Sequence, residues 1–117
     1  MNDVKPIGNE RFISTEEVDR ALQFIRDNAL ALAEAKGAQV SAQHLLKHVL
    51  AVEMCKHDGP ISKADMLAKA SQAYVDAIDR EMNATIEYEK LRGLINAADK
   101  KIEVWRTQES NVRAGKL

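Results

Sequence analysis

Large side chains are scarce in this chain. Phe12, Phe24, Tyr74, Tyr88 and Trp105 are its only aromatic residues, 4 % of the total, which excludes a thick core built on aromatic rings. Proline occurs twice and glycine five times, leaving few turns. β-Branched residues are also sparse, which argues against a sheet and for long helices. The single cysteine, Cys55, cannot close an internal disulfide, and this fits a reducing cytoplasm. The longest apolar run is only a few residues, too short to span a bilayer, and Met1 to Arg11 lacks the apolar segment of a secretory signal. Nor is there an excess of charge. The net value of -1 provides no global basic field to attract nucleic acid or an acidic membrane.

Aliphatic residues and alanine are plentiful. Of the 117 residues, 45 % are hydrophobic, too many for a chain disordered throughout, and the length suits one domain. Residues 1–13 contain Pro6, Gly8 and Asn9, show no period, and read as a flexible arm. Ser14 and Glu17 then form a capping box, followed by an apolar stripe of Val18, Leu22, Ile25, Ala29 and Leu32. Lys36-Gly37 reads as a helix end, and Ser41 opens a second helix with Leu45, Leu46, Val49, Leu50, Val52 and Met54 on its face. Asp58-Gly59-Pro60 stops that helix, so residues 14–59 are expected to form a helical hairpin.

Residues 60–117 carry the longest pattern. Ser62 and Asp65 read as another box, and no proline follows. Leu67, Ala70, Tyr74, Ala77, Glu81, Ala84, Tyr88, Leu91, Ile95, Ala98, Ile102 and Trp105 alternate in steps of three and four, and only Glu81 is not apolar. A repeat sustained over more than five heptads predicts a very long coiled-coil-like helix. A second stripe runs beside it through Val75, Ile78, Met82, Leu94, Ala97 and Val104. From Ser62 to Val112 the helix would span about 75 Å, at roughly 1.5 Å per residue. Two short hairpin helices cannot cover both stripes over that length, so the seam is expected to be an oligomer interface. Gly93 is its weak point, where a bend is possible in a helix. The expected fold class is all-α and oligomeric: a helical hairpin followed by this long helix and a short tail.

Few residues suggest chemistry. His44 and His48 are four apart, a spacing that can bind a metal, but no third ligand is close in sequence and Cys55 lies seven residues beyond His48. Polar-face or interface histidines are the preferred reading, with no metal and no cofactor. Carboxylates alternate with Lys and Arg, as at Asp76 and Arg80, in the manner of solvated helix faces. No phosphate loop, metalloprotease signature or nucleophile elbow occurs, so the chain is not expected to be an enzyme. Two groups of cations could contact phosphate: Lys47 and Lys56 on the second expected helix, and Lys100, Lys101, Arg106 and Arg113 late in the long one.

The order of elements resembles the phage recombination mediator family of the UvsY type. The resemblance spans roughly residues 14–113: the helix opened by Ser14-Thr15 with Ala21 and Leu32 on its face, the Lys47–Gly59 segment ending at a glycine, and the Tyr-punctuated helix beyond. It implies a non-enzymatic, cytoplasmic protein of a bacterial host that assembles through its C-terminal helix and binds single-stranded DNA. It also implies a recombinase and a single-strand-binding protein as partners. Lys47 and Lys56 lie in the segment where that family contacts DNA and are slightly favoured over Lys100 and Lys101. A helical adaptor that binds only proteins is the alternative.

Overall fold

The computed structural model describes residues 12–115. Most of the expected arm, residues 1–11, lies outside them, as do residues 116–117. The described chain is all-α, with no strand: α1 is Thr15–Met54, α2 is Ile61–Lys69 and α3 is Gln72–Arg113. The very long C-terminal helix is present, at 42 residues, and α1 is almost as long at 40.

Helix α1 starts where its sequence dictates. The Ser14 hydroxyl accepts from the Glu17 backbone N–H at 3.1 Å, and Glu17 Oε1 accepts from the Ser14 N–H at 3.3 Å. Two of the donors left over at a helix start are thereby satisfied. The expected break at Lys36-Gly37 is absent, because α1 continues through it to Met54. The described residues 14–54 are therefore one helix and not a hairpin. A glycine stops a helix when it takes the left-handed conformation, and Gly37 does not take it. Glycine within a helix costs about 1 kcal/mol relative to alanine, and local contacts offset this. Just beyond it Gln39 and Ala42 are buried, and the Lys36 ammonium reaches Gln39 Oε1 at 3.2 Å. Gly59 behaves as expected, with φ at 99° ahead of Pro60.

The start of the long helix also differs from expectation. The box expected at Ser62 and Asp65 does not form. Pro60 caps α2 without a side-chain hydrogen bond, and Asp65 pairs with Lys69 at 3.2 Å. Helix α3 begins ten residues later than read, behind Ser71. The Ser71 hydroxyl donates to the Ala68 carbonyl at 2.7 Å and accepts from the Tyr74 N–H at 3.2 Å. One side chain thus closes α2 and opens α3, the local competition with the helix ladder that serine is suited to provide.

The chain divides into two compact units, Met1–Ala29 with Gly93–Leu117, and Leu30–Arg92. In the first, the ends of α1 and α3 run antiparallel: the Gln108 side chain bonds both the N–H and the carbonyl of Ile13, and Lys101 faces Glu17 at 3.7 Å. Val18, Ala21 and Ile102 form its buried core, flanked by Ile13, Leu22, Ile25, Ala98 and Trp105. In the second, α1 and α3 are again antiparallel. Gln39 Nε2 donates to Thr85 at 3.2 Å, and the Lys36 ammonium lies 4.9 Å from the centre of the Tyr88 ring. The buried apolar residues of this unit are Ala42, Ala64, Ala68 and Ala77.

Candidate interaction surface

The heptad seam faces inward. On α3, Tyr74, Ala77, Glu81, Ala84, Tyr88, Leu91, Ile95, Ala98, Ile102 and Trp105 are all buried or half-buried. Part of that cover comes from the chain itself. In the first unit Ala98, Ile102 and Trp105 pack with Val18 and Ala21 of α1, and in the second Tyr88 sits beneath Lys36. The premise that no element of the chain is long enough to lie along the seam fails, because α1 is one helix of 40 residues. The first two seam positions depart from the pattern. Leu67 belongs to α2 and Ala70 caps it, and both are exposed, because the Ser71 break lies between them and α3.

The second stripe is the one left open. Val75, Met82 and Ile86 are 41 %, 53 % and 50 % exposed, with Ile78 half-buried beside them. At about 100° per residue the three exposed side chains fall within about 40° of one another, on the side of α3 nearly opposite Ala77, Ala84 and Tyr88. Ile86 was missed in the sequence, although it lies four residues after Met82 and extends the same stripe. Leu30, Val52, Ile61, Met66 and Leu67 are also exposed in this unit. Isolated exposed aliphatic residues are normal, but a run of large ones on a helix face marks an interaction surface.

In the first unit a shallow groove of about 300 Å³ is lined by Ala21, Phe24, Leu94, Ala97 and Ala98, together with Glu17, Arg20 and Lys101. Lys101 is half-buried and faces Glu17, which makes it a poor free cation. Lys100, Arg106 and Arg113 are exposed, but they form no stripe. Arg106 and Arg113 point the same way, whereas Lys100 lies about 120° or more around the helix from them. Asp99 and Glu103 are exposed among these cations. In the second unit Lys47 is exposed with no ion pair among the described residues, while Lys56 pairs with Glu53.

Glu53 is buried in the last turn of α1. A hydrogen bond from the Lys56 ammonium holds its carboxyl below the ordinary range, helped by the charge of Lys56, the Ser71 hydroxyl and His57, while burial pulls the other way. His44, His48 and Cys55 are exposed, and no group of three potential metal ligands occurs among the described residues. No helix among them is long and apolar enough to cross a membrane. What this surface can do is bind, by apolar contact bordered by mixed charge. No protein-family model, curated protein or solved structure matches this chain.

Proposed function

We propose that this chain is a non-enzymatic helical assembly protein that associates with itself through the exposed faces of its helices. One observation carries this reading: the unit Leu30–Arg92 buries only alanines among its apolar residues, while eight larger ones, Leu30, Val52, Ile61, Met66, Leu67, Val75, Met82 and Ile86, are exposed. The unit's larger inward residues, among them Leu45, Leu46, Tyr74, Tyr88 and Leu91, are only half-buried, and apolar area left in water forgoes roughly 25 cal/mol per Å². Covering the eight exposed side chains supplies the missing burial. Light scattering over the micromolar range is expected to give a multiple of the 13.0 kDa chain mass. A monomer at every concentration overturns the reading.

A second reading is favoured by the exposure of Lys47, Lys100, Arg106 and Arg113, none of which has an ion pair among the described residues. In it the assembled protein binds single-stranded DNA and assists a phage recombinase against a single-strand-binding protein, in the cytoplasm of a bacterial host. Repetition of four scattered cations over several copies sums weak phosphate contacts into useful affinity. Such binding falls steeply as salt rises. Fluorescence anisotropy on a single-stranded oligonucleotide at low salt tests it, comparing Lys47→Ala with Lys56→Ala against Lys100→Ala with Lys101→Ala. No retention at any salt leaves the protein-only reading.

A further inference from the structure

We infer that the occupant of the Met82–Ile86 part of the open stripe on α3 is the same part of a second copy, laid antiparallel about a two-fold axis. This inference rests on the self-association reading and specifies its interface. Three features of the helix point to it. The stripe is short and continuous, and its two most exposed members, Met82 and Ile86, form its C-terminal end on either side of Ala84 and Thr85. An axis crossing α3 near Ala84 and Thr85 interleaves Met82 and Ile86 of one copy with those of the other, as knobs beside holes.

The charges along one edge of the stripe supply the direction. Asp79 and Lys90 are both exposed and eleven residues apart, and at about 100° per residue they lie within about 20° of each other on the same flank. A two-fold axis midway between them sets Asp79 of each copy beside Lys90 of the other, making the pair twice. Two-fold symmetry brings matching flanks together in this way, since an isologous interface places a patch against itself. Asp76 stands farther round the same flank and adds acid at the end that meets the Lys90 of the second copy. Lys90 approaches Glu87 of its own helix only at 3.5 Å, with both side chains about two-thirds exposed or more, so the ammonium can serve both carboxylates.

The test uses the full chain and two single charge reversals, Asp79→Lys and Lys90→Asp, at exposed positions that leave the helix packing untouched. Alone, each variant places like charges together twice, and self-association measured by sedimentation is expected to weaken about tenfold or more. Mixed one to one, the two variants restore both attractive pairs in a heteromer, and association returns close to wild type. A parallel arrangement would set Asp79 against Asp79 and Lys90 against Lys90 already in the wild type, so it predicts no weakening of either single variant and a mixture tighter than wild type. A different face predicts no change in any of the three. Met82→Asp provides an independent handle and is expected to abolish association through the stripe while helicity is retained. If the wild type associates but the mixture is no tighter than its components and Met82→Asp has no effect, this interface is wrong and self-association stands. If the wild type is a monomer throughout, the underlying reading falls and the interface with it.

Discussion

In the first unit Val18 and Ile102 are buried with Ile25, Ala98 and Trp105 around them, whereas the second unit closes on Ala42, Ala64, Ala68 and Ala77. Helices α1 and α3 contribute to both, but Ala64 and Ala68 of the second lie on α2, so the units differ in the size of their fully buried side chains and in that added helix. Large residues meeting across a helix pair give a core that stands by burial. In the second unit the fully buried alanines bring the backbones together, half-buried Tyr74, Tyr88 and Leu91 add apolar contact, and directional contacts such as Gln39 with Thr85 and Lys36 over Tyr88 supplement it. Eight of the twelve large exposed apolar residues belong to this unit, close to its share of the described chain, so what sets it apart is that none of its large apolar residues is fully buried.

The contrast can be broken most severely at Ile102. Truncation to alanine removes the largest buried side chain of the first unit, and an Ile→Ala change at such a site costs about 2–5 kcal/mol. Chemical denaturation is expected to register that loss, with hydrogen exchange accelerated first in residues 12–29 and 93–115. The opposite change tests the second unit. Ala68 is wholly buried, and Ala68→Leu is expected to destabilise by about 1–3 kcal/mol because a close-packed contact has no room for three more carbons. If Ala68→Leu is neutral, the alanine contact is loose and the contrast between the units is weaker than described.

A smaller effect of opposite sign is expected at Gly37. Nothing lies within 4 Å of a side chain added there, and the residue sits inside a helix, so Gly37→Ala should stabilise by about 0.5–1 kcal/mol. A destabilised variant would mean that the chain turns at this glycine after all. The smallest effect concerns pH. The Glu53 carboxyl is held below its ordinary value of 4.5, first by the hydrogen bond from Lys56. A depressed carboxylate stabilises fully above its unfolded value, and that contribution is lost as pH falls through the lower folded one. The stability difference between wild type and Glu53→Gln should therefore shrink on acidification below about 4.5. A difference constant with pH would mean that Lys56 does not hold the Glu53 carboxylate.

Much of this architecture is written locally. The scarcity of proline, glycine and β-branched residues dictates helices, the Ser14–Glu17 box starts α1, and Gly59-Pro60 follows its end. The three-four alternation identifies the inward face of α3 from Tyr74 to Trp105, because period is a property of the chain and needs no partner to be read. The cations were legible as residues but not as a surface. Whether Lys101 and Lys56 are free depends on Glu17 and Glu53, and Glu17 is remote from Lys101 in sequence.

Tertiary structure decided the rest. Lys36-Gly37 and Ala70-Ser71 are both plausible places to stop or continue, and local propensity there amounts to about 1 kcal/mol either way. Packing settles such cases. Gln39 and Ala42 are buried just after Gly37 and carry the helix through it, while the Ser71 hydroxyl, bonded to Ala68 and Tyr74, divides a stretch that lacks glycine and proline. The same decision determines which stripe of α3 is left open. A continuous α1 lies along the seam, so Val75, Met82 and Ile86 are exposed instead, an outcome that depends on the length of a different helix.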